Sequence, residues 1–378
     1  MRTKLLLTAV VLGALALPAA AHAQAALPEH YAPVDRPGPA PSVPQPQLDA
    51  SLSCGSSLQG ASVAPVLLIH GTGSDPENNF AWNWEPALDA LGIPWCTVAL
   101  PDSGMEDVQV AGEHVVNAIR AMHQQAGRRI SVIGHSQGGM IPRWALRFWP
   151  DTRAMVDDVI GLAPSNHGTE SAQFTCVPDC APAVWQQRSD SEFIKALNSF
   201  QETFDGISYT QVYTLTDPIV TPNLDDTGSS SLHTGDGQIT NVAIQDVCAD
   251  PNEHLGIGTV SNTAYSLAVD ALSNAGPADP SRLDPAAVCA SPLMPGVDPA
   301  TGPAALAAAG ADLAQTIATH PHSPSEPRLA CYVTEECQGD DTAGGPGPSG
   351  GKTKAKPKAG KCRKKSRKGK RRKCKKRR

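Results

Sequence analysis

The stretch "RRISVIGHSQGGMIPRWALRFW" (128–149) restricts the possible folds more than any other part of the chain. An apolar run ends at Gly134, a serine sits between small residues, and apolar residues then recur at helical spacing. Passing from strand to helix in so few residues requires a sharp backbone turn. Gly134 and Gly138 remove the side chains that would collide there. Such a turn lifts Ser136 Oγ out of the sheet and sets the N–H groups of a helix N-terminus behind it. A serine capping an ordinary helix is the plain alternative. The strand before it and the helix after it favour the G-x-S-x-G elbow of serine hydrolases.

The surrounding pattern extends this reading. "VAPVLLIHG" (63–71), "WCTVAL" (95–100), "VDDVIGLAP" (156–164), "YTQVYTLT" (209–216) and "ITNVAIQD" (239–246) read as buried strands. From Glu106 to Gln125, apolar residues at 108, 111, 115, 119 and 122 predict a helix, as does "SNTAYSLAVDAL" (261–272). Strands separated by helices imply an α/β fold, with a mostly parallel central sheet flanked by helices on both faces.

The ends of the chain differ from its middle. Arg2 and Lys4 precede the apolar run "LLLTAVVLGALAL" and the small residues "AAAHAQA", the layout of a signal peptide over 1–25. The run is short for a membrane span, so a secreted, extracellular protein is expected. Residues 26–47 read as a Pro/Ala-rich leader arm, 48–338 as one domain, and 339–378 as a Gly/Pro linker with a disordered basic tail. Residues 351–378 hold 18 of the 31 Lys and Arg and no acid. With Arg2 and Lys4 also set aside, 11 bases remain for residues 26–350 against all 37 acids, a net of −26. An acidic body argues against nucleic acid as its partner, whereas the tail suits an anionic envelope or membrane surface. Eight cysteines in the body of an exported chain point to disulfides before metal; neither a metal nor a cofactor is expected, and the chain should be a monomer.

A serine nucleophile needs a base and an orienting acid, which in this fold follow it in the order acid, then histidine. Among histidines 167, 233, 254, 320 and 322, His254 in "DPNEHLGIG" occupies the loop between the last strand and a helix, where the base belongs. His233 reads as solvated. Asp217, placed at the end of a strand and followed by Pro218, is the favoured acid, with Asp225, Asp226, Asp246 and Asp250 competing. "IHGTG" (69–73) offers Thr72 as an oxyanion donor beside the backbone N–H of Gln137, and His70, preceding the serine, reads as structural.

With these residues in view, the chain over roughly 48–337 resembles the lipase family typified by Candida antarctica lipase B. The resemblance rests on "LSCGSSLQGAS", "GTG", "SQGG", the Phe80–Trp84 region, "APAVWQQ" (181–187), "TDPIV" (216–220) and Cys248. It implies an α/β-hydrolase fold, ester hydrolysis without a cofactor, a catalytic triad of Ser136, Asp217 and His254, and oxyanion donors at Thr72 and Gln137. It also implies disulfides Cys54–Cys96 and Cys248–Cys289, and a pocket lined by His135, Ser165, Gln187 and Ile219. The sequence departs from the family at several of these points. His135 stands where the family has a tryptophan and Ser165 where it has an aspartate, and Cys176 and Cys180 are extra and expected to pair. Cys331–Cys337 would close a shorter loop than the family's last disulfide.

The expected function is that of a secreted serine carboxylester hydrolase acting on triacylglycerols or related lipid esters, with segments 170–205 and 290–320 covering the site. An acyltransferase or polyester depolymerase would use the same triad. A non-catalytic surface-binding protein is the alternative outside enzymes.

Overall fold

The computed structural model describes residues 30–335. The signal-peptide expectation, the linker, the basic tail, Cys337, Cys362 and Cys374 lie outside the described residues.

Seven strands form one sheet in the order β1-β3-β2-β4-β5-β6-β7: β1 Leu52–Cys54, β2 Val66–Ile69, β3 Trp95–Val98, β4 Ile130–His135, β5 Val156–Leu162, β6 Ser208–Tyr213 and β7 Gln238–Ala243. β2 to β7 run parallel, and only the edge strand β1 pairs antiparallel, on β3. Period-two alternation sends successive side chains to opposite faces. Leu67 and Ile69 of β2 join the core on one side, and Val66 and Leu68 join the core on the other. The helices Val108–Ala126 and Gln137–Phe148 cover the first face through Val115, Ile119 and Trp144. The helices Trp84–Leu91 and Asn262–Ser273 cover the second through Leu88, Ala264 and Leu267. Each such aliphatic side chain contributes about 1.5–3 kcal/mol by leaving water. The architecture is therefore the mostly parallel sheet covered on both faces that the alternation of patterns implies, in the α/β-hydrolase form that the resemblance implies.

Two features depart from the sequence reading. β1 was not expected as a strand: it is only three residues long, and its pairing with β3 rather than its own pattern defines it. Cys54 faces Cys96 in that register, and the two are bonded. Cys248–Cys289 and Cys176–Cys180 are also bonded. Closing loops of 42 and 41 residues contributes about 4 kcal/mol each in the chain-entropy account.

The leader arm, from residue 30 on, is packed into the body. Tyr31 is buried and pairs with Thr334, Ala32 N–H donates to Val333 O at 2.8 Å, and the Arg147 guanidinium donates to Ala32 O. A helix at Gln45–Ala50 crosses the expected boundary at 48. Its Pro- and Ala-rich composition hides this because the arm is held by backbone groups and by a few side chains. Among the described residues, no helix is long and apolar enough to cross a membrane.

Candidate active site

The elbow forms where the glycines demand it. Ser136 has φ +55° and ψ −123°, a backbone conformation costing about 1–3 kcal/mol for a residue with a side chain. A Cβ on Gly134 would lie 1.9 Å from Gly138 O, and one on Gly138 would lie 2.0 Å from Ile69 O. Ser136 N–H donates to Leu162 O and Gly139 N–H to Ser136 O, both at 2.9 Å, which pins the strained residue between β5 and the helix starting at Gln137. As the first residue of that helix, Gln137 has a backbone N–H without an intrahelical acceptor.

The candidate acid and base come from the segments beyond β6 and β7. β6 ends at Tyr213, so Asp217 sits four residues further on, in a turn rather than at the strand end. Its Oδ1 accepts from the Ile219 and Val220 N–H groups, both at 2.8 Å, and its Oδ2 accepts from His254 Nδ1 at 2.8 Å. Both side chains are almost completely buried. The Nδ1–H bond leaves the Nε2 lone pair of His254 for a proton acceptor role. His254 opens a short helix, His254–Thr259, rather than lying in a loop; Glu253 caps that helix by accepting from Leu255 N–H at 3.2 Å. Two glycines in "HLGIG" mask the helix in the sequence. Two of the competing acids are engaged elsewhere: Asp225 holds its own turn through Thr227, and Asp250 binds Ser261 and Asn252.

Ser136, His254, Thr72, His135, Gln187 and Ile219 all line one cavity of about 280 Å³. Thr72 Oγ1 accepts from Gln187 Nε2 at 2.8 Å and from Gln137 Nε2 at 3.2 Å. With both lone pairs occupied, its own O–H is left to donate. Ser165 is one layer behind the wall: fully buried, it donates to Gln187 Oε1 at 3.0 Å and so acts through Gln187 rather than on the cavity. The physical reason is that the short Ser165 side chain is sealed off by the glutamine it supports.

His135 touches the cavity and is held by one hydrogen bond. Its Nε2 donates to the backbone oxygen of His254 at 3.0 Å, and its Nδ1 lies 3.2 Å from Asn79 Oδ1, which accepts from Gly71 N–H. Burial, and then the neighbouring His254, lower its pKa to about 3. His70 is fully buried between Gly71 O and Leu100 N–H, and burial lowers its pKa to about 4. Both rings are neutral near neutral pH. Asn79 carries no sequence signal, because it is one of three successive polar residues in "PENNF" and belongs to no motif.

The cover comes from the expected segments. Ser171, Ala172 and Thr175 close one side, and Ala309, Leu313 and Ile317 of the helix Gly302–Thr319 close another. His167 pairs with Glu202, and His233 is exposed.

Residues 111–255 match the family model for lipase (class 2). Lipase B of Pseudozyma antarctica is 34% identical over 212 residues, which cover 56% of this chain and 61% of that protein. A triacylglycerol lipase of Pseudomonas fragi is 32% identical over 113 residues, 29% of this chain and 36% of that one. The chain thus spans less than two thirds of the length of either relative. The crystal structure of Aspergillus fumigatus lipase B matches with a TM-score of 0.73 at 29% identity, covering 79% of this chain and 74% of that one. In sequence and in fold, this chain is similar to lipase B on an α/β-hydrolase framework, as its motifs imply.

Proposed function

We propose that the chain is an exported serine carboxylester hydrolase that cleaves triacylglycerols or related lipid esters through an acyl-enzyme. One observation carries the reading: a strained serine shares an apolar-walled cavity with a histidine whose far nitrogen is held by a buried aspartate. Ser136 Oγ attacks the ester carbonyl while His254 Nε2 takes its proton, and Asp217 stabilises the imidazolium. The developing oxyanion takes the Gln137 N–H together with the N–H and hydroxyl of Thr72. His254 returns the proton to the leaving alcohol, and water repeats the sequence on the acyl group.

Two further parts of the reading rest on the sequence. The signal-peptide layout and the three disulfides support export. The acid-free run of lysines and arginines supports attachment to anionic envelope surfaces, weakening steeply above physiological salt.

The test is turnover of p-nitrophenyl esters of graded acyl length by the purified chain, with fluorophosphonate labelling at Ser136. Ester cleavage and labelling, both lost in Ser136→Ala, are expected. An unlabelled, inactive wild type would leave a binding protein, and acyl transfer to added alcohols in preference to water would make it a transferase.

A further inference from the structure

His320, directly after the cover helix Gly302–Thr319, is set against the loop behind the oxyanion wall. Its side chain is only 4% exposed. Its Nδ1 is 2.8 Å from Pro321 O; a carbonyl can only accept, so Nδ1 carries the hydrogen. In the neutral ring, Nε2 is then a bare lone pair. The two atoms facing it are themselves acceptors: Asp102 Oδ2 at 2.9 Å and Glu106 Oε1 at 3.8 Å. Three electron-pair donors from two separate chain segments converge within 4.8 Å of one another, an arrangement that a shared cation would satisfy.

We propose that Asp102, Glu106 and His320 bind a divalent transition metal of the zinc type. One imidazole and two carboxylates make a donor set suited to zinc, with bonds of about 2.0–2.2 Å that place ligand atoms about 3–3.5 Å apart. The backbone carbonyl on the far ring nitrogen is the outer-shell partner that fixes a metal-binding histidine in the correct tautomer. Asp102 and Glu106 are exposed, which gives an ion its route in.

The site would act as a clamp. Ser103 O, next to Asp102, accepts from Gly73 N–H at 2.8 Å, and Gly104 O accepts from Gln137 Nε2 at 3.0 Å. The ligand loop therefore supports both oxyanion segments, while His320 anchors the helix whose Leu313 packs on Gly73. A bound metal ties the cover to the oxyanion wall. The binding claim is independent of whether the chain hydrolyses esters.

The full chain, stripped by a chelator and dialysed, is titrated with zinc chloride by calorimetry, and its thermal midpoint is followed with and without zinc. One tight equivalent and a raised midpoint are expected, since a ligand that binds only the folded state stabilises it. Glu106→Gln should weaken that equivalent roughly tenfold or more and remove the midpoint shift. His320→Gln should do the same, and His322→Gln, two residues on and paired with Asp179, should keep both. If His320→Gln does not fold, the exposed Glu106 decides. Unchanged zinc binding in Glu106→Gln would overturn the proposal. So would a wild-type midpoint that zinc leaves unchanged.

Discussion

Two helices flank the proposed site and could hardly be more different. The elbow helix, Gln137–Phe148, is buried at every residue, whereas in the cover helix, Gly302–Thr319, only Gly302 is buried. The first carries Trp144 stacked on Phe193, and buried Arg143 and Arg147 that bind backbone oxygens of distant segments. The second is an Ala-rich rod whose inner face meets the cavity through Ala309, Leu313 and Ile317. A floor that must hold a strained serine is packed without slack, while the wall that would admit an acyl chain under the proposed function is held by few groups. Stability is concentrated in the floor and adaptability in the cover.

The sharpest test of the floor is the nucleophile. Ser136→Ala should lower kcat by about 10⁶-fold, with an unchanged thermal midpoint or a raised one, because the strain at φ +55° resides in the backbone and not in the hydroxyl. Asp217→Asn should cost about 10⁴-fold. Should Asp225→Asn or Asp250→Asn prove the more damaging, Asp217 is not the acid.

Acid should weaken the floor before it touches the cover. His70 and His135 are neutral when folded, with pKa values lowered to about 4 and about 3, and both take up protons near pH 6.5 once unfolded. Through these two groups the unfolded state binds more protons below pH 6.5, and their contribution to stability falls as pH drops from there towards 4, while Asp158, raised by burial to about 7, contributes in the opposite sense. At pH 5 the two histidines together remove about 4 kcal/mol. Urea unfolding between pH 7.5 and 5 measures this, and His70→Gln should flatten the slope by about half. A slope unaltered by that substitution would locate the acid sensitivity elsewhere.

His135 sharpens the comparison at the border of floor and cavity. Its ring packs directly against Gly258, where even a Cβ would come within 2.3 Å, so an indole in its place has no room without movement of the helix bearing His254. Removing the bond to the His254 backbone oxygen takes away a contact that positions the helix bearing His254. His135→Gln should reduce kcat about tenfold with little change in KM. An unchanged kcat with altered selectivity among secondary alcohol esters would return His135 to the role of an alcohol-side pocket residue.

The smallest effect is expected from the cover. Leu313→Ala should raise KM for long acyl esters a few-fold and shift stability by no more than about 0.5 kcal/mol, as for a surface site. A loss of 2–5 kcal/mol, typical of core leucines, would show that the cover helix is part of the core after all.

Much of the floor was legible in the sequence, because its determinants are local. A strand, two glycines around a serine and a helix are contiguous, and sterics alone decide that turn. The period-two and helical patterns likewise made the parallel sheet and its two helical layers readable, since burial follows periodicity. Candidates for the base and the acid could be ranked by their place after β6 and β7, although His254 lies on a helix and Asp217 in a turn.

What only the tertiary structure decided concerns groups brought together from far apart in the chain. Ser165 reaches Gln187 and not the cavity, Asn79 sits between Gly71 and His135, and His320 meets Asp102 across 218 residues. No local pattern encodes such meetings. They depend on where loops of irregular backbone end, and that is set by the packing of the whole domain rather than by any stretch within it.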